Sequence, residues 1–209
     1  MVPPTMETQV NVVSTAAQVF VDAYYEALAR RPRRNLDQFY ASTSPRLAGA
    51  GIKPDISING RVCESVAEFE SLLETQGSPA SYDVRSFDAH PVNPAFGAGR
   101  HEGGGGDTAN VEKGDLVSFA VQVSGVVKLG KGHVARETEA VANGAVVAPM
   151  PAAVGANVFG PGKKEEDAGP IEKQFNESFL LVPHWEAWSK NPPKNMRKWV
   201  IVSQNYRTM

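Results

Sequence analysis

Asp22, Tyr24, Tyr25, Asp88 and His90 are the side chains of this chain best suited to proton transfer. A carboxylate, an imidazole and a phenol brought around one cavity would serve an isomerase or dehydratase as general acid and base. Tyr24 and Tyr25 fall on the apolar positions of a helical pattern, where an aromatic ring with a polar tip is an ordinary core residue. Asp88 and His90 are two residues apart and share a strand face if no bulge separates them. A cavity enzyme using Asp88, His90 and Tyr24 is therefore one reading. The metal-ligand inventory is His90, His101, His133, His184 and Cys63, without the i, i+4 helical spacing that brings ligands together, so no metal is expected. Gly103–Gly106 precedes Asp107 and lacks the Lys-Ser/Thr pair of a phosphate loop, and a strand pattern follows it where that loop needs a helix N-terminus. It reads as a linker, and no cofactor is expected.

Charge gives little to a nucleic-acid reading of the whole chain, because the formal net charge over 209 residues is −2. Local basic groups are Arg30, Arg31, Arg33 and Arg34 at a helix end, Lys131, and Lys163-Lys164, which Glu165-Glu166-Asp167 offsets. Arg30, Arg31, Lys131, Lys163 and Lys164 are read as RNA or scaffold contacts, and positive charge at a helix C-terminus is also what the helix dipole favours. One cysteine excludes an internal disulfide, and no apolar run approaches the ~18 residues of a spanning helix. An intracellular chain with no membrane contact is expected.

The elements that must position these groups begin after residues 1–13, read as a flexible leader. From Ser14 or Thr15, Ala17, Phe20, Val21, Tyr24 and Leu28 recur at helical steps, and Arg31-Pro32 ends the helix. A short helix surrounds Leu36, Phe39 and Tyr40. Ile52–Ile58 alternates as a strand before the hairpin dipeptide Asn59-Gly60. Ser65 to Glu68 is a capping box that opens a helix carrying Val66, Phe69, Leu72 and Leu73 on one face. Tyr82–His90, Leu116–Lys128, Phe175–Pro183 and Arg197–Tyr206 are strand-like. Helices followed by strands predict an α+β fold, three helices packed on a curved antiparallel sheet, as a single domain over residues 14–209. Two stretches rich in glycine, at about 95–114 and 130–172, read as long inter-strand insertions, far beyond the ~4–6 residues usual for a connection.

One face of that sheet is built unlike a core and unlike a charged surface. Alternation assigns Val117, Phe119, Val121, Val123 and Val127 to the core, and leaves Leu116, Ser118, Ala120, Gln122, Ser124 and Val126 on the other side. Asn176, Ser178, Leu180 and Val182 repeat this mixed character, as do Trp199, Ile201, Ser203 and Asn205. Small uncharged polar groups among apolar ones suit packing against a second sheet, with hydrogen bonds setting register.

The order of motifs resembles the nuclear transport factor 2-like family, and within it the small subunit of the nuclear messenger-RNA export receptor. Phe20-Val21-Asp22-Ala23-Tyr24-Tyr25, Leu36 to Tyr40, Phe69 to Leu73, the strand ending Asp88 to Val92, and Tyr206-Arg207 carry the likeness. The two insertions resemble the fungal, messenger-RNA transport regulator type. The resemblance implies a non-enzymatic subunit that pairs through its sheet with a related domain of a large subunit, and helps that partner bind phenylalanine-glycine nucleoporins and RNA. It also implies residence at the nucleus and nuclear pore with shuttling to the cytoplasm. Asp88 is implied to pair with an arginine of the large subunit, and Arg207 to lie near the nucleoporin-binding region. A homodimeric transport carrier of the same fold is the competing non-enzymatic reading.

Overall fold

The computed structural model describes residues 2–30, 36–75, 80–98, 109–129 and 171–209. The chain opens with helix α1, Met6–Ala29, whose first turn is capped by the Thr5 hydroxyl accepting from the Thr8 amide at 3.2 Å. This corrects the reading of residues 1–13 as a leader, since residues 6–13 form the start of the helix. Val13 is the first buried residue of α1, so its opening turns carry no apolar stripe to betray them. From there Ala17, Phe20, Val21, Tyr24, Tyr25 and Leu28 face the sheet. Short 3-10 turns at Asp37–Phe39 and Ala41–Thr43 lead to α2, Pro45–Gly49.

Strands β1, Asp55–Ile58, and β2, Arg61–Cys63, form a hairpin. Its turn is Asn59-Gly60, both at positive φ (52° and 86°), as the sequence predicts. Helix α3, Val66–Thr75, follows the expected box, with the Glu68 amide donating to Ser65 Oγ at 3.2 Å and the Glu68 carboxylate reaching back to the Glu64 amide at 2.8 Å. The long strands are β3, Ala80–Asn93; β4, Ser118–Leu129; β5, Ile171–Pro183; and β6, Trp199–Thr208.

The six strands form one sheet in the order β2-β1-β6-β5-β4-β3. The α+β class holds, and the sheet is mostly antiparallel with one exception, the parallel pairing of β1 with β6. That pair joins strands far apart in sequence, where no tight turn forces opposite directions. Irregularities at Val84/Ser86, Pro91/Asn93 and Leu180/Leu181 add local bend and twist.

The main core lies between α1, α3 and the inner sheet face, where Phe119, Val121, Val123, Val127, Phe175, Phe179, Leu181 and Ile201 are buried. A smaller cluster of Ala41, Leu47, Val182, Trp185 and Val200 covers one end of the outer face. The first insertion is pinned at both described ends. The Phe96 amide donates to the Leu116 carbonyl at 2.9 Å, Gly97 (φ +69°) passes under the Trp185 ring, and Val111 and Leu116 are buried. Residues 99–108 between these ends lie outside the described residues. Of the second insertion, Ile171 and Glu172 belong to β5, and the remainder lies outside the described residues.

Gly125 stands opposite the irregularity in β3, where a Cβ would lie 2.2 Å from the Asp83 carbonyl oxygen and 2.8 Å from the Phe175 ring. Gly125→Ala is expected to lower stability by on the order of 1–3 kcal/mol in urea unfolding, through overpacking against backbone. Gly49→Ala, with nothing within 4 Å of the added methyl, is the control and should not destabilise.

Candidate interface on the outer sheet face

Strand register assembles the outer face into rows. Asp88 on β3 pairs with Gln122 on β4, which pairs with Ser178 on β5, Asn205 on β6 and Ser57 on β1. A second row runs His90, Ala120, Leu180, Ser203, Asp55, and a third Ser86, Ser124, Asn176, Arg207. With strands ~4.8 Å apart, the first row spans roughly 19 Å from Asp88 to Ser57. Asp88, Gln122, Ser178, Asn205 and Arg207 are exposed, while Ser124, Asn176 and Ser203 are half-buried by their neighbours. Ser86 and Ser124 share a hydrogen bond of 2.8 Å across β3 and β4, and Arg207 Nε donates to Asn205 Oδ1 at 3.3 Å. Strand pairing therefore brings together eight of the nine residues read as partner-facing.

Ser118 is the ninth and is corrected. It is 2 % exposed at the covered end of the sheet, so it is not on the open surface. Leu116, Val126 and Val182 are likewise buried. Trp199 and Ile201 were read on the same face as Ser203 and Asn205; both pack with the inner core. The extra residue in β6 between the partners of Leu181 and Leu180 reverses the alternation, which a strict two-residue period cannot register.

Asp88 and His90 lie on the outer face, whereas Tyr24 is fully buried on the inner side. The sheet itself separates them, and the cavity enzyme built on these three residues is not assembled. Asp22 is exposed on α1 and accepts from Gln18. His184 is buried with Nδ1 3.2 Å from Glu186 Oε2, and burial lowers its proton affinity. Glu186 also accepts from Ser44 Oγ and the Arg46 amide, which ties α2 to the segment after β5. No group of three or more metal-ligating side chains is present among the described residues. Arg30 is exposed and pairs with Glu26; Arg31, Lys131, Lys163 and Lys164 lie outside the described residues, as do His101, His133 and Gly103–Gly106.

Behind the rows, the inner face holds a polar network that the sequence reading missed. Glu177 is 2 % exposed; Tyr25 Oη donates to its Oε2 at 2.5 Å and Gln204 Nε2 to its Oε1 at 2.6 Å. Gln204 Nε2 also donates to Tyr24 Oη at 2.8 Å, and Tyr40 Oη donates to Gln204 Oε1 at 2.5 Å. Burial pushes the Glu177 carboxyl up to about 7, against the two hydrogen bonds that favour its anion. Glu177 also lines a cavity of about 60 Å³ whose walls include Leu28, Phe69, Tyr82 and Tyr206. The signal was available in Phe175-Asn176-Glu177-Ser178-Phe179, where alternation sends the acid inward with the two aromatic rings.

Gln204 is the centre of this network, so Gln204→Leu should cost about 1–3 kcal/mol for each buried polar group that it leaves without a partner. Urea unfolding of Gln204→Leu, Tyr40→Phe and the double variant should show non-additive losses, because the residues act as one network.

No protein-family model and no curated protein matches the chain. Solved structures do. The chain superposes on a chain of the complex described as Sac3N peptide bound to Mex67:Mtr2, with TM-score 0.64 and 24 % identity over 94 % of this chain and 98 % of that one. For the Chaetomium thermophilum Mex67 NTF2-like domain complexed with Mtr2, the TM-score is 0.63 and the identity 26 %, over 94 % and 98 % of the two chains. Against a structure of Mtr2 the values are 0.60 and 23 %, over 93 % and 98 %. Over 93–94 % of its length the chain is similar to these structures, and it has their nuclear transport factor 2-like fold.

Proposed function

We propose that the chain is the non-enzymatic small subunit of a heterodimeric messenger-RNA export receptor, docking its outer sheet face on the related domain of a Mex67-type large subunit. The observation that carries this reading is the three-row face centred on Asp88, Gln122, Ser178 and Asn205, which no helix of the described residues covers at its middle. Its uncharged polar groups stand in fixed register and its acids Asp88 and Asp55, on the strands that bound the rows, are exposed, a surface suited to another sheet rather than to bulk water. Support also comes from the likeness to Mtr2 in structures that contain Mex67, a transport-factor subunit rather than an enzyme. In this reading the large subunit supplies most of the contact with phenylalanine-glycine nucleoporins, and the assembled pair contacts RNA. The protein then works in the nucleus and at the nuclear pore, moving to the cytoplasm with its cargo.

Co-expression with the large subunit's related domain is expected to give one copy of each chain by light scattering. A stable homodimer indifferent to that domain would favour the homodimeric carrier instead. Asp88→Arg should weaken association by about 2–5 kcal/mol, through loss of an ion pair and juxtaposition of like charges. Titration calorimetry with a charge-reversed partner should restore it; undiminished binding of Asp88→Arg alone would remove Asp88 from the interface.

Leu129 and Ile171 are register partners at the ends of β4 and β5, so a short turn can join them. Replacing residues 130–170 with a Gly-containing hairpin turn should preserve folding and association. Because it removes Lys131, Lys163 and Lys164, it should weaken RNA or scaffold binding by the assembled pair, and the RNA part of the loss should shrink as salt is raised. Loss of the pair on replacement would give the segment a structural role.

A further inference from the structure

The connection from β5 to β6 carries a concentration of positive charge that the sequence reading passed over. Lys190, Lys194, Arg197 and Lys198 fall within nine residues, and no acidic side chain occurs from Ala187 to Trp199, in a chain whose formal net charge is −2. Lys190, Lys194 and Lys198 are exposed and Arg197 is half-buried. None of the four has an ion-pair partner among the described residues. The fold holds these cations in place. Pro192 and Pro193 restrict the backbone, and a tight turn follows in which the Met196 amide donates to the Pro193 carbonyl at 3.4 Å and Asn195 adopts a φ of 64°. Past the turn, the His184 amide donates to the Lys198 carbonyl at 2.8 Å. The Arg197 guanidinium stands 3.6 Å from the centre of the Phe39 ring, and Lys198 Nζ 4.7 Å from that of Trp188. Arg197 Nε is buried without a hydrogen-bond partner among the described residues, and burial disfavours the charge of its guanidinium. A nearby anion would offset that cost.

We propose that this loop is a contact site for the phosphate backbone of RNA, an inference that rests on the export reading for the choice of RNA over other polyanions. The exposed groups of the loop are its lysines, its prolines and the amides of Asn191 and Asn195. Such groups meet phosphate and sugar oxygens and read no base. Trp185 and Trp188 are buried, so the loop offers neither a ring for bases to stack on nor an apolar anchor for a peptide or a membrane. A nucleic-acid strand supplies a charge at every nucleotide and needs no such anchor. The loop leaves β5 at Pro183 and enters β6 at Trp199, past the rows assigned to the large subunit. The segment 130–170 meets β5 at its other end, Ile171, and the length of the strand puts that end about 40 Å away. Contacts made by the loop are therefore separate from those assigned to Lys131, Lys163 and Lys164.

Fluorescence anisotropy with a labelled 15-nucleotide oligouridylate tests this on the full chain, alone and assembled with the large subunit's related domain, between 50 and 200 mM salt. Lys190→Gln/Lys194→Gln removes two cations that are exposed and pack against nothing described, so the fold should be unaffected. Its binding should be weaker on the order of tenfold at 50 mM salt, and its slope of log affinity against log salt shallower by about 1.4. An oligoadenylate should show the same loss, and Lys190→Arg/Lys194→Arg should restore binding on both. Lys53→Gln/Lys113→Gln, which removes two exposed cations elsewhere, should bind as the parent does. No parental binding at 50 mM salt overturns the proposal, as does a loop variant with the parent's affinity and slope. Tighter binding of a polyglutamate of equal length would assign the loop to an acidic protein segment and overturn the RNA assignment. The two readings can fail separately. A pair that forms and binds RNA without regard to the loop removes this site and leaves the export reading standing, whereas loop-dependent RNA binding by a chain that ignores the large subunit keeps the site and removes that reading.

Discussion

Alternation along the paired strands β3, β4, β5 and β6 is the constraint on which this structure depends. Once Phe119, Val121, Phe179 and Leu181 face the helices, every residue between them must face the other way, because successive side chains of a strand point to opposite sides. Gln122 and Ser178 therefore become neighbours on the outer face without any attraction of their own having to bring them together. The same register delivers Asp88 to one end of that row and Asn205 toward the other. Burial of the inner residues supplies the driving force, and the outer rows inherit their order from it.

The two faces meet most closely in β5. Asn176 and Ser178 belong to the outer rows, while Glu177 between them points into the core and is held by Tyr25 and Gln204. A buried network of this kind rewards one arrangement only, since each polar group left unmatched in a low-dielectric interior is costly. Gln204 reaches it because the irregularity in β6 shifts the alternation after Ile201. Without the extra residue, Gln204 would face outward and Ser203 and Asn205 inward. One local insertion thus places both the key of the inner network and two members of the outer rows.

Much of the fold was legible in the sequence because its signals are local. The Asn59-Gly60 hairpin, the Ser65–Glu68 cap and the apolar face of α1 from Ala17 to Leu28 each depend on residues a few positions apart. The valine and phenylalanine alternation of β4 was equally plain, and it carried Gln122 and Ser124 to the correct face. Less visible were features that bury little or break a period. The first turns of α1 contribute no buried residue before Val13, and Trp199 and Ile201 were assigned to the wrong side because the irregularity in β6 leaves no mark in composition.

The sequence by itself determined the α+β class, the main helices and strands, and the mixed character of the outer face, because capping, turn chemistry and apolar period act within a few residues. Tertiary structure decided the strand order, the parallel pairing of β1 with β6, the burial of Ser118, and the meeting of Tyr24, Tyr25, Tyr40, Glu177 and Gln204. These depend on contacts between residues as far apart as Tyr24 and Gln204. Such contacts form only when the whole sheet closes over α1, and no local pattern encodes which distant partner a buried polar group will find.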